Sequence, residues 1–177
     1  NGGKDFEGKE STDNRAILAT DQGEIEFQGK LNVGKDDSLI TSNAVVYSDD
    51  AEVTIKKDST TNMNLADNSN GFYALNSLKP TNPDLENSQS QIKIEEGVNV
   101  KLNGNGVGIT AGNGGHIDIS GANINATGLK SALASIADGT NTSYINAENA
   151  IITYDGDSYA TYSSQKKAKI NLNLSLI

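Results

Sequence analysis

The feature that most constrains the fold of this chain is an internal repeat of short apolar runs. Six such runs of apolar and small residues can be aligned, and each is introduced by a Gly, Ser, Asp or Asn or lies next to one. The runs recur at intervals of roughly 23 to 35 residues. They occupy residues 15–20, 38–42, 71–75, 106–111, 131–135 and 158–162.

Each run is followed by a turn and a second strand in which apolar and polar residues alternate, and often by a third. The second strands are at 23–27, 51–55, 91–94, 115–119, 143–147 and 168–172, and the third at 30–33, 99–102, 122–125 and 150–153. Strands this short cannot bury an apolar face alone. Stacked as coils they would bury it in one continuous column, so we predict an all-β, right-handed parallel β-helix of about six or seven coils.

The composition agrees with a narrow interior. The chain has no Trp and only 5% aromatic residues, so its core must use Ile, Val, Leu, Ala and Thr. Asn and Gly both tolerate the left-handed backbone of tight corners. We therefore predict a turn at each of four Asn-Gly pairs, which begin at Asn70, Asn103, Asn105 and Asn113.

Two alternative structures compete with this interpretation. Asn-Gly pairs are also hairpin signals, which would suit an antiparallel sandwich. Leu129, Leu133 and Ile136 follow helical spacing and could form a short helix. The alignment with the other runs favours a strand at this position, and the sixfold pattern favours the β-helix.

An insertion of about residues 76–90 interrupts the third pass and holds both prolines of the chain. Proline cannot donate a hydrogen bond to a strand ladder, so this segment is predicted to leave the coil as a loop. Loops on a rigid scaffold often bind partners. The tentative binding residues are Lys79, Pro80, Asn82 and Asp84.

Charge and cysteine content exclude several function classes. The net charge is −9, with no basic stripe to neutralise phosphates, so nucleic acid and anionic membrane surfaces are not expected partners. No apolar run approaches the length of a membrane-spanning helix. The absence of Cys excludes disulfides and thiolate metal sites.

Candidate catalytic residues are few. His116 is the only histidine, and alternation places it with Asp118 on the solvent face, where we expect a solvated surface residue. Three carboxylate pairs could serve glycoside hydrolysis, but their positions favour turn residues that bond the local backbone. They are Asp36 with Asp37, Asp49 with Asp50, and Asp155 with Asp157.

Metal and cofactor sites are not predicted. The calcium-binding nonapeptide motif fails because Ile117 stands where its third Gly is required. We therefore expect no catalytic residue, no metal and no cofactor, and hence no enzyme.

The repeat resembles the passenger β-helix of autotransporters, the type V secreted proteins of Gram-negative bacteria. Residues 106–119 and 128–149 are similar to coils of that family, in which a Gly, a small apolar strand, a Gly/Asn turn and an Ile-containing strand follow one another. The resemblance covers about residues 14–177 and is shared with two-partner-secretion adhesins. It implies that 1–13 form an N-terminal edge segment and that 14–177 are a fragment of a longer passenger.

The resemblance further implies a non-catalytic adhesin at the bacterial cell surface or secreted from it. Its expected partners are a host-surface protein or glycan, or identical chains, without membrane contact by this fragment. One alternative is a structural spacer of a surface protein. A second is a pectate-lyase-like β-helix, which would need Arg or Lys beside carboxylates, although Arg15 is the only Arg. The apolar alternation of Leu172, Leu174 and Leu176 is predicted to belong to an open final pass.

Overall fold

The computed structural model describes residues 15–34, 44–76 and 91–173. Within these ranges the chain forms seventeen strands and no helix, so no described segment could cross a membrane as a helix. Residues 131–136 form a strand, which confirms the predicted strand and shows that the alternative helix is wrong. The all-β class is therefore confirmed.

The strands form three parallel sheets; sheets 1 and 2 take one strand from each of six coils, and sheet 3 takes one from each of the first five. Sheet 1 contains β1 (Ile17–Thr20), β4 (Val46–Asp49), β7 (Asn70–Leu75), β10 (Val107–Gly112), β13 (Ser131–Ile136) and β16 (Tyr159–Ser164). Sheet 2 contains β2 (Glu24–Phe27), β5 (Glu52–Ile55), β8 (Gln91–Ile94), β11 (His116–Asp118), β14 (Ser143–Asn146) and β17 (Ala168–Asn171). Sheet 3 contains β3 (Lys30–Val33), β6 (Thr60–Leu65), β9 (Asn99–Gly104), β12 (Asn123–Thr127) and β15 (Ile151–Asp155).

This topology is that of a parallel β-helix. Every strand pairs with its counterpart in the next coil, for example β10 with both β7 and β13, and all these pairs are parallel. The antiparallel sandwich is therefore wrong. The expected count of six or seven coils is slightly too high, because the described residues complete five coils and add two strands of a sixth.

The core is a set of side-chain ladders that run along the helix axis. In sheet 2 one inward position is aliphatic in every coil, and parallel pairing stacks each side chain about 4.8 Å above the last. The central members are almost fully buried and the two outermost are partly buried. This ladder consists of Ile25, Val53, Ile92, Ile117, Ile145 and Ile170.

Most predicted strands coincide with observed ones, with two exceptions. The first strand of the second coil is β4, whereas residues 38–42, where we predicted it, lie outside the described residues. The third strand of that coil, β6, was not predicted because its run Thr-Thr-Asn-Met-Asn-Leu has few apolar residues. Its inward Met63 and Leu65 are nevertheless fully buried.

Two of the four Asn-Gly pairs, at Asn105 and Asn113, lie between strands, whereas the pairs at Asn70 and Asn103 lie within β7 and β9. Asn113 and Gly114 both have positive φ, and Gly104 closes β9 with a φ of 109°. Asn70 and Gly71 instead begin β7, so the predicted turn there is wrong. Gly71 is required by close packing, because a Cβ at this position would lie 2.6 Å from the carbonyl oxygen of Gly108 in the next coil.

Candidate binding groove on the tyrosine face

The outer surface of sheet 1 carries an unusual concentration of aromatic side chains. We define this tyrosine face by Tyr47, Tyr73, Tyr159 and Tyr162, which lie on β4, β7 and β16. The register places Tyr47, Tyr73, Thr110, Ala134 and Tyr162 in one outward column, one residue from each of five successive coils. Two small residues thus separate the tyrosines of the earlier coils from those of the last.

At one end of the face the aromatic side chains are held by neighbouring groups. The rings of Tyr47 and Tyr73 meet edge to face with centroids 5.7 Å apart, and the Arg15 guanidinium lies 4.0 Å from the Tyr47 centroid. The Tyr47 hydroxyl donates a hydrogen bond of 3.3 Å to Asp49. Both contacts are of stabilising types, edge-to-face pairing and cation–π attraction.

Burial keeps these two phenols protonated. Desolvation, followed by the charge of Asp49, raises the pKa of Tyr47 to about 12, although Arg15 acts in the opposite direction. Burial and then Asp49 also raise the pKa of Tyr73. Both hydroxyls therefore remain neutral hydrogen-bonding groups at any physiological pH.

Gly112 makes room for the ring of Tyr73. Gly112 ends β10 on the adjacent coil, and a Cβ built there would lie 2.6 Å from Cε2 and 2.7 Å from the hydroxyl oxygen of Tyr73. Any larger residue would have to displace the ring. Gly112 thus leaves space for a side chain of the preceding coil.

Between Tyr73 and the last coil lies a groove of about 330 Å³. Its floor is formed by the small residues Thr110 and Ala134, and its far wall by Tyr159 and Tyr162, whose ring centroids are 6.5 Å apart. Tyr159 is 66% exposed and Tyr162 is 43% exposed. The volume is at the lower end of the range for small-molecule sites.

Polar groups border the groove at several points. The Thr110 hydroxyl donates a 2.6 Å hydrogen bond to Asn70, and the Ser131 hydroxyl donates to the carbonyl of Leu133 at 3.0 Å. Lys130 is the one cationic side chain among the lining residues, and it forms a 2.7 Å ion pair with Asp67. None of the described residues that line the groove is a carboxylate.

The outer surface of sheet 3 has a different character, dominated by amides. Its polar side chains bond to one another across coils, as in Asn123 to Asn99 at 3.2 Å and Asn103 to Asn64 at 3.0 Å. This amide face is defined by Asn32, Asn62, Asn64, Asn99, Asn103, Asn123 and Asn125. It forms a shallow depression of about 530 Å³, whose amides already bond one another in part.

His116 lies on the outer surface of sheet 2, as alternation predicts, but it is not fully solvated. Its ring packs edge-on against Tyr144 with centroids 5.9 Å apart. Burial lowers the pKa of His116, while a hydrogen bond that its ring donates to the backbone of Thr142 partly opposes this effect. The histidine is partly shielded from solvent because the parallel register places Tyr144 directly beside it.

The candidate carboxylates occupy structural positions where the structure describes them. Asp50 is a buried left-handed turn residue with φ of 52°, and Asp118 accepts hydrogen bonds from Ser120 and from Asn146. Asp49 accepts the Tyr47 hydroxyl, and Asp155 ends β15. Asp36 and Asp37 lie outside the described residues. Among the residues that are described, no three His, Cys, Asp or Glu side chains cluster as a metal site would require.

The tentative binding residues lie in the predicted insertion. Lys79, Pro80, Asn82 and Asp84 all belong to 77–90, outside the described residues. Leu172 directly follows β17 and is 42% exposed, whereas Leu174 and Leu176 are also outside the described residues.

The sequence analysis missed the tyrosine face. Aligning the starts of the runs places Tyr73 opposite Ala160, two residues before Tyr162, which lies in the same column as Tyr73. The observed register pairs both Tyr73 and Ala134 with Thr110, and Ala134 with Tyr162. The chain matches no protein-family model, no curated protein and no solved structure.

Proposed function

We propose that this chain is a non-catalytic part of a cell-surface adhesin of the autotransporter passenger type, which attaches a bacterial cell to a host or to another cell. It would act at the cell surface or after release. The observation that carries the proposal is the groove on the tyrosine face, in which exposed Tyr159 and Tyr162 face the half-buried Tyr73 across a floor of small residues.

Exposed aromatic residues on a rigid frame are well suited to binding. Tyr offers a large amphipathic surface with few rotatable bonds, so little conformational entropy is lost when it contacts a partner. Aromatic anchors also contribute disproportionately to binding free energy. The interior ladders of the β-helix hold β7, β10, β13 and β16 in fixed register, and the groove is therefore preorganised.

A structural spacer is the second candidate, and the continuity of the interior ladders favours it. A stack in which every coil supports the next is a stiff rod, whether or not it binds anything. The two candidates differ in what the isolated chain does. A spacer should not attach to cells, whereas an adhesive segment should.

Attachment of coated beads to cells tests the proposal. Beads that carry the chain are expected to attach to cultured epithelial cells, and beads that carry the Y159S/Y162S double variant are expected to attach less. The matched control is Tyr144→Ser, which removes an outward tyrosine from sheet 2 and leaves the groove intact. Absence of attachment by the parent chain would favour the spacer, and equal losses in both variants would reject the tyrosine face.

A further inference from the structure

We infer that the groove between Tyr73 and Tyr162 is a binding site for a neutral oligosaccharide. This inference rests on the proposed function, because it names the chemical class that the tyrosine face recognises. It is carried by four properties of the groove: its length, its aromatic walls, its hydroxyl-rich border and a described lining in which Lys130 is the single charged side chain.

The length of the groove suits a short chain of rings. Tyr73 and Tyr162 occupy the same column, three strand steps apart, so their Cα atoms are separated by roughly 14 Å at about 4.8 Å per step. Thr110 and Ala134 between them have no bulk to interrupt a ligand that lies along the column.

The aromatic walls suit the apolar faces of sugar rings. The C–H groups of a pyranose ring carry slight positive charge and are attracted to the negative face of an aromatic ring. Tyr159 is mostly exposed and Tyr162 is nearly half exposed. The planes of their rings differ by only 32°. A ligand can therefore contact two similarly oriented rings at one end of the groove and Tyr73 at the other.

The border supplies both donors and acceptors, which sugar hydroxyls require. Phenol and aliphatic hydroxyls can each donate one hydrogen bond and accept others. The hydroxyls of Thr110 and Ser131, two lining residues, donate to protein groups, so their oxygens keep lone pairs that can accept hydrogen bonds. The neutral phenol of Tyr73 can do both.

Charge distinguishes a neutral glycan from an anionic one. Recognition of a sialic acid, sulfate or uronate would need cationic side chains at the site. Lys130 is the single cation among the described lining residues, and Asp67 at 2.7 Å offsets its charge. The net charge of −9 repels anions at long range.

The backbone of the groove floor argues against a peptide bound as an added strand. Such a peptide needs a sheet edge with unpaired N–H and C=O groups. β10 pairs with β7 and β13, and β13 pairs with β10 and β16, so both floor strands have neighbours on each side. Only side chains of the floor are available to a ligand.

Titration with defined oligosaccharides tests this inference. The probes are tetrasaccharides of β-1,4-linked glucose, β-1,4-linked N-acetylglucosamine and α-1,6-linked mannose, together with sialyllactose and a sulfated disaccharide. Saturation-transfer NMR and calorimetry would measure binding to the parent chain. At least one neutral tetrasaccharide should bind, and Y162A should weaken that binding about three- to tenfold, the loss of one aromatic contact.

Two further variants separate loss of the site from loss of the fold. G112V should displace the Tyr73 ring and weaken the same neutral ligand, while Y144A on sheet 2 should leave its affinity unchanged. Far-UV circular dichroism of each variant must match that of the parent. Binding of only the anionic probes, binding of none, or equal weakening by Y144A would overturn the inference.

The failure of this inference can be told apart from failure of the proposed function. If coated beads attach to cells through the tyrosine face but no neutral probe binds, the adhesin proposal stands and the glycan inference is wrong. If neither attachment nor glycan binding occurs, both are wrong.

Discussion

Truncation of a single interior isoleucine should reveal how strongly each coil depends on its neighbours. Ile117 is 1% exposed and packs between Ile92 and Ile145 in the ladder of sheet 2. Ile117→Ala removes three carbons, which is about 2.4 kcal/mol of transfer free energy at about 0.8 kcal/mol each. Coils on both sides hold the surroundings in place, so a cavity of roughly 70 Å³ adds about 1.7 kcal/mol.

Ile117→Ala is therefore expected to lower the free energy of unfolding by about 4 kcal/mol, and the same ladder offers a matched control. Ile170 is the last described member, is partly buried and pairs with Ile145 on one side. Ile170→Ala should cost only about 1 to 2 kcal/mol, because solvent already contacts this side chain and no closed cavity forms. Urea unfolding followed by circular dichroism measures both. Equal losses at the two positions would refute the argument that stacked coils support each other from both sides.

Four further outcomes are expected. Ser143→Ala should lower the free energy of unfolding by about 2 to 4 kcal/mol, because this buried hydroxyl donates to the Ile136 carbonyl and accepts from Gly114 N–H; exposed Ser163→Ala is the control and should change urea stability little. Lys56→Met should leave the urea midpoint at high salt unchanged, since its ion pairs with Glu26 and Glu95 are solvated and screened. Burial lowers the pKa of His116 in the folded state, so the unfolded chain binds the proton first as the pH falls. The free energy of unfolding should therefore be highest above about pH 6.5 and decline below it. His116→Gln should flatten that decline in a profile of urea stability against pH. Amide hydrogen exchange should be slower in β11 and β12 than in β16 and β17, which have a paired neighbour on one side only, and equal rates would contradict the single-sided pairing.

The sequence predicts the architecture well because the interior of a β-helix repeats in chemistry. Ile92, Ile117 and Ile145 each lie in an alternating strand that follows a turn, so the strands of sheet 2 can be recognised one by one. β6 escapes this reasoning. Its residues are mostly Thr and Asn, and Met63 becomes an inward residue only because Val33 and Leu102 stack on either side of it.

The candidate binding groove could not be predicted because it depends on register. A slip of one residue moves a side chain from the outer surface to the interior, and turns of variable length hide the true alignment. Phe72 and Tyr73 illustrate the point: they are adjacent aromatic residues, yet the first is fully buried and the second forms a groove wall. Only the observed pairing of Tyr73 with Thr110 shows which of the two faces outward.

The salt bridges of Lys56 pair opposite charges on successive coils but contribute little to the free energy of unfolding. Lys56 lies 3.1 Å from Glu26 and 3.3 Å from Glu95, so it bridges carboxylates of the preceding and following coils. Hydrogen bonds from the Lys57 N–H and, to a smaller extent, from the Lys56 side chain lower the pKa of Glu95. Glu24 and Glu52, by contrast, are register partners on the same sheet and place two like charges side by side.

The central claim is that residues of successive coils are parallel, in-register neighbours, and disulfide pairing tests it most directly. The chain contains no Cys, so an introduced pair reports on one distance alone. Asn99 and Asn123 are register partners, about 4.8 Å apart at the Cα atoms, within the range that a disulfide spans. Asn123 is in turn the partner of Ile151, which places Asn99 and Ile151 about 9.6 Å apart, too far for a disulfide. Mild oxidation of the folded chain should therefore close N99C/N123C rapidly and leave N99C/I151C reduced. Efficient closure of the second pair, or failure of the first in a folded chain, would contradict the β-helix.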